Sequence, residues 1–219
     1  MPHIFWDMDN TLINYPYGEY SSSWGAVFHS AGKFEESQKL LEQYLPNPHL
    51  YGEWFDRACS LLKDVPVDDV MKKILPPVYM EGAKDVVRET KKMATIGLLS
   101  AGTDPPARYV AKELEMEFCE CNELLQENGL FTGIGKCNVS LWDKKQNMVD
   151  VCNRFGIKSD EKGIYRGTVV IGDHENELGS FGAAECSIAY RPTSDKVRKA
   201  ADYVVTDLKQ IPQIIRKLF

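Results

Sequence analysis

The chain has 219 residues, 43% of them hydrophobic and 26% charged, the composition of an ordinary globular protein with one sizeable core and an extra subdomain. Its formal net charge of −6 argues against a general nucleic-acid binder. No apolar run reaches the length of a membrane-spanning helix, and no signal segment precedes residue 7, so a cytoplasmic protein with no membrane partner is expected.

In chain order, Ile4-Phe5-Trp6 runs into Asp7-Met8-Asp9-Asn10-Thr11. This predicts a short buried strand opening into a loop, and in open α/β sheets ligands bind at that end. Residues two apart on a strand share a side, which places Asp7 and Asp9 in one cleft. Two such carboxylates do not both stay ionised cheaply without a cation or a shared proton. One can attack while the other protonates, both can hold a divalent metal, or the pair simply caps the turn.

Residues 14–32 are rich in Tyr, Ser, Gly and Trp and carry no predicted element; Tyr15, Tyr17, Tyr20 and Trp24 are expected as core or pocket wall. Helices are predicted over 34–45, 50–62 and 66–75, separated by Pro46-Asn47-Pro48 and closed by Pro76-Pro77. This strand-free block, residues 14–80, reads as a helical cap inserted into a core formed by 1–13 and 81–219.

From Glu81 the pattern alternates. It gives helix 83–93, strand 94–99, helix 105–114, strand 118–121, an Asn128-Gly129 hairpin, helix 143–155 and strand 168–171. Helix 177–184, strand 186–189, helix 195–201, strand 203–205 and a closing helix from 208 complete it. Alternation of this kind predicts a Rossmann-like doubly wound parallel α/β sheet, covered on both faces. The six cysteines include no Cys-x-x-Cys and the four histidines lack zinc-finger spacing, so free thiols are expected.

Three strands end in polar clusters: Asp7 and Asp9; Ser100-Ala101-Gly102; and Gly172-Asp173-His174-Glu175-Asn176-Glu177. Lined up on one crevice, the carboxylates suit Mg²⁺, while a Ser hydroxyl, backbone amides and a Lys suit a phosphate. A metal and a phosphate beside an aspartate nucleophile mean phosphoryl transfer. The Lys comes from Lys144-Lys145. From Lys145, apolar Met148, Val149 and Cys152 follow at +3, +4 and +7, so Lys145 is expected on the inward stripe and Lys144 in solvent.

In this order the motifs resemble those of the haloacid dehalogenase superfamily of phosphohydrolases. The resemblance implies that Asp7 is a nucleophile forming an aspartyl-phosphate and Asp9 the general acid and then base. It implies that Thr11, Ser100, Ala101 and Lys145 hold the phosphate, and that Asp7, the Asp9 carbonyl and Asp173 bind Mg²⁺. Ser60-Leu61-Leu62-Lys63-Asp64, Glu81-Gly82-Ala83 and Asn128-Gly129-Leu130-Phe131-Thr132-Gly133 are similar to the phosphoserine phosphatase group, which has a helical cap.

The departures bear on substrate. That group's ammonium-binding Glu falls on Pro16, with Glu19 the nearest carboxylate, and its carboxylate-binding Arg falls on Ala58, with Arg57 one residue and about 100° away. The last acid of the fourth motif is Glu177 rather than Asp, and Asn176 and Glu177 stand beside the substrate or the ligands. The resulting expectation is a Mg²⁺-dependent phosphomonoesterase acting on a small-molecule phosphate ester, possible alternatives being a phosphotransferase or a catalytically idle phospho-ligand binder.

Overall fold

The structure is a computed structural model that describes residues 1–16 and 21–219, so Tyr17, Glu19 and Tyr20 lie outside the described residues. Its strands are β1 (His3–Trp6), β2 (Thr95–Thr103), β3 (Phe118–Glu127), β4 (Leu130–Lys136), β5 (Tyr165–Gly172), β6 (Ala184–Tyr190) and β7 (Tyr203–Val205). They form one sheet in the order β4-β3-β2-β1-β5-β6-β7, parallel throughout except for the β3–β4 hairpin. The expected doubly wound sheet is therefore present. Its strands read as continuous apolar runs because both faces are covered. Ile4, Trp6, Ile96, Leu98, Val169 and Ile171 enter the larger core, whereas Phe5, Leu99, Val170 and Ala189 enter the smaller.

After β1 come α1 (Ser23–Ser30), α2 (Phe34–Tyr44), α3 (Tyr51–Ser60) and α4 (Val67–Ile74). The later helices are α5 (Ala83–Lys91), α6 (Asp104–Glu113), α7 (Lys145–Arg154), α8 (Leu178–Phe181), α9 (Asp195–Ala200) and α10 (Ile211–Leu218). No periodicity marks α1 in the sequence, and the reason is burial. Ser23, Trp24, Gly25, Ala26, Val27, Phe28 and Ser30 are all buried, so no polar face marks a 3.6-residue period. The helix starts on a cap, with the Ser22 hydroxyl accepting from the Gly25 amide at 3.1 Å.

The chain leaves the sheet for α1–α4 and returns along two paired segments. Asn14 N–H donates to Val78 O and Met80 N–H to Leu12 O, each at 2.9 Å. The β3–β4 hairpin backs the helices from the other side. Asn128 and Gly129 turn it with φ of 51° and 78°, the left-handed pair that an Asn-Gly turn uses. Beyond the turn, Phe131 N–H donates to Val65 O at 3.0 Å and Asp64 N–H to Phe131 O at 2.9 Å.

Candidate active site

Trp6 is in register with Leu98 on one side and Ile171 on the other. The residues just beyond, Asp7 to Asp9, Ser100 to Gly102 and Asp173, therefore emerge at one edge of three adjacent strands, where the order of connections reverses. Asp7 is still held by the sheet, its N–H donating to Ile171 O at 2.9 Å. The chain then turns tightly: the amides of Leu12 and Ile13 point to Met8 O at 2.9 and 3.1 Å, with Asn10 at φ 60°, which Asn tolerates. This turn buries Thr11 completely and leaves its hydroxyl without a partner among the described residues.

The lysine is Lys144, not Lys145. Lys144 Nζ donates to Asp7 Oδ1 and to Glu177 Oε1, both at 2.5 Å, and its side chain is buried, whereas Lys145 is exposed. The expected stripe was out of phase by one residue. Met148, Val151 and Cys152 are the buried positions of α7 and Val149 is only half-buried, so the stripe extends backward by four and seven residues onto 144. Lys144 O also accepts the Met148 amide at 3.1 Å, which fixes the lysine on that face.

Glu177 likewise has a definite task. Its Oε1 takes Lys144 and its Oε2 accepts the His174 amide at 2.9 Å, so the extra methylene relative to Asp reaches the lysine. Gly172 makes room for it: a Cβ there would lie 2.6 Å from Glu177 Cγ and Cδ. Gly172→Ala is expected to lower stability by about 1–3 kcal/mol in urea unfolding, since a buried, doubly bonded carboxylate must shift.

Ser100 is buried, its Oγ accepting from the Gly102 amide at 3.0 Å. Ala101 is tied through its carbonyl, which accepts from Trp24 Nε1 at 3.1 Å and from Asn122 Nδ2 at 2.8 Å. Asn176 is buried, its Oδ1 without a partner among the described residues. Arg57 is not brought to the site: it is exposed, paired with Glu53 at 3.0 Å and set over the Tyr44 ring. Ala58 is fully buried and Pro16 is exposed. Asp9 is gripped by a residue that sequence reasoning missed, Ser23, whose N–H and hydroxyl donate to Asp9 Oδ1 and Oδ2 at 2.9 and 2.8 Å. The Ser-Ser-Ser run ahead of an apolar stretch was the available signal, a helix start.

The electrostatics are those of negative charge crowded around one cation. Burial, then Asp7 and Glu177, hold the Asp173 carboxyl well above the ordinary range. Burial raises Asp9 to about 7 and Glu177 to about 7, against the Ser23 and Lys144 bonds respectively. Burial disfavours the Lys144 ammonium, but Asp7 and Glu177 outweigh it and keep the lysine charged.

Among the described residues no three or more His, Cys, Asp or Glu side chains converge as a ready-made metal cage. Mg²⁺ does not require one, since it keeps several waters and takes one or two carboxylates. The excess of carboxylates over the single ammonium fits a divalent cation at Asp7 and Asp173.

The chain is 25% identical over 219 residues to the phosphoserine phosphatase of Methanocaldococcus jannaschii, covering 97% of each protein. It is 27% identical over 190 residues to the phosphoserine phosphatase of Archaeoglobus fulgidus, covering 85% of this chain and 52%, about half, of that protein. A solved structure described as a phospho-aspartyl intermediate analogue of phosphoserine phosphatase shares the fold with a TM-score of 0.77 at 24% identity, over 97% of this chain and 98% of that one. Residues 4–177 match the family of haloacid dehalogenase-like hydrolases, from the first strand through the Asp173–Glu177 cluster. The chain belongs to that family.

Proposed function

We propose that the protein is a Mg²⁺-dependent phosphomonoesterase for a small phosphorylated metabolite, working through an aspartyl-phosphate on Asp7. One observation carries the reading: Asp7 sits 2.5 Å from the buried Lys144 ammonium, with a second, protonatable aspartate two residues on. The Asp7 carboxylate attacks phosphorus as the ester P–O bond breaks, and the Asp9 carboxylic acid gives its proton to the leaving oxygen. The resulting Asp9 carboxylate then takes a proton from a water that attacks the aspartyl-phosphate, releasing phosphate and restoring Asp7. Lys144 offsets charge between nucleophile and phosphate, and Thr11 Oγ1 and Ser100 Oγ donate to phosphate oxygens. When bound, Mg²⁺ at Asp7, the Asp9 carbonyl and Asp173 neutralises charge on the phosphoryl oxygens.

Residues 14–80 serve as the cap in this proposal, joined to the core, 1–13 and 81–219, by the paired segments at Leu12–Asn14 and Val78–Met80, and they exclude bulk water from the ester. No helix among the described residues is long and apolar enough to cross a membrane, which suits a cytoplasmic place beside small metabolites. The relatives' name makes phosphoserine the first ester to try, although neither Arg57 nor Ala58 supplies a carboxylate ligand.

The test is phosphate release from a panel: phosphoserine, a sugar phosphate, phosphocholine and an aryl phosphate, with Mg²⁺ and after chelation. Release from at least one ester is expected, falling on the order of a hundredfold or more on chelation and returning with Mg²⁺. Absence of release from every ester overturns the reading.

A further inference from the structure

We infer that Ser23 is a positioning residue for the Asp9 carboxyl, and that it completes the acid only while the first helix after β1 is docked on the sheet. The inference rests on the phosphatase reading above and extends it to a residue outside the four motifs. Ser23 is the first residue of α1 and is fully buried. Its amide donates to Asp9 Oδ1 at 2.9 Å and its hydroxyl to Asp9 Oδ2 at 2.8 Å, a two-point grip that fixes the carboxyl plane. An ionised carboxyl offers about four lone-pair sites, so two are left to carry and deliver the proton.

The grip is itself supported. Ser23 Oγ accepts the Thr103 amide at 3.2 Å, which ties it to the end of β2. The close approach depends on Gly102, where a Cβ would come within 2.4 Å of Ser23 Oγ and 3.0 Å of Asp9 Oδ2. On the loop side, Asn10 Nδ2 donates to Ser21 O at 2.9 Å, so the residues flanking Asp9 and Ser23 are clasped a second time. One serine thus joins the acid, the strand that bears Ser100 and the start of the helical block. If that block swings away, the acid loses both donors, which confines proton delivery to the closed, water-excluded state.

A positioned acid matters in proportion to how much its leaving group needs a proton. The experiment therefore compares kcat/KM, which reports the steps through leaving-group departure, for the best alkyl ester of the panel and for 2,4-dinitrophenyl phosphate. Ser23→Ala is expected to lower the alkyl value on the order of tenfold or more and the dinitrophenyl value less than about threefold, because a dinitrophenolate leaves without a proton. Ser23→Thr, which keeps the hydroxyl, is expected to recover most of the alkyl activity. In an Asp9→Asn background, Ser23→Ala is expected to cost nothing further with the dinitrophenyl ester.

Equal losses on both esters, or a full additional loss in the Asp9→Asn background, would make Ser23 merely structural and overturn the inference while leaving the phosphatase reading intact. A parent protein inert to both esters overturns that reading and this inference with it. Should Ser23→Ala not fold, Ser23→Cys, close in size with a much weaker donor, reads the same split.

Discussion

Asp7→Asn is expected to reduce phosphate release on the order of 10⁴-fold or more in kcat, because a carboxamide does not attack phosphorus. The substitution is nearly isosteric, and Lys144 keeps its 2.5 Å bond to Glu177, so the lysine is not stranded. It also removes one negative charge from a site where carboxylates already raise one another's proton affinity. The unfolding free energy is therefore expected to stay within about 1 kcal/mol of the parent. Single-turnover assays with the best ester, beside denaturant unfolding of the same preparations, separate the two effects. A folded variant that retains more than about a hundredth of the parent rate would mean that Asp7 is not the nucleophile.

What was legible in the sequence follows from which physical signals are local. The parallel sheet could be read because strands buried on both faces are plain apolar runs, and Ile4-Phe5-Trp6 and Thr168-Val169-Val170-Ile171 leave little else to expect. Asp7, Asp9, Ser100 and Asp173 could be read because each directly follows such a run. The strand positions them, and the crossover that sets β1 between β2 and β5 brings the three ends together.

Side chains whose orientation depends on tertiary contact could not be read. Lys144 precedes its helix by one residue, and an apolar residue at 149 looks as good on paper as Val151. Only the packing of Val151 against the sheet decides the phase. Helix α1 failed for the opposite reason: all of its residues but His29 are buried, so there was no period to detect, and the grip of Ser23 on Asp9 spans 14 residues of sequence. Arg57 failed because it lies on the outer face of its helix, where Glu53 and Tyr44 hold it, while Ala58, about 100° on, is packed into the core.

The second large effect tests the phase of that helix directly. Lys144→Met keeps the length and apolar stem of the side chain but deletes the ammonium between Asp7 and Glu177. Two buried carboxylates are then left facing each other with Asp173 nearby, and removing one partner of a buried ion pair costs about 3–5 kcal/mol. For a chain of this length that corresponds to a fall in Tm of roughly 6–20 °C. Phosphate release from whatever remains folded is expected to drop on the order of 10²–10³-fold, as charge against the phosphoryl oxygens is lost.

Lys145→Met, one residue on and exposed, is expected to move stability by no more than about 0.5 kcal/mol and activity by less than about threefold. Adding Glu177→Gln to Lys144→Met removes one of the stranded charges, so the double variant is expected to be more stable than Lys144→Met alone, without recovering activity. That pattern separates the lysine's two tasks, since stability follows the balance of buried charge whereas catalysis follows the ammonium itself. If Lys145→Met proved the damaging change, the inward stripe would run through 145, 149 and 152, and the pairing of Lys144 with Asp7 would be wrong.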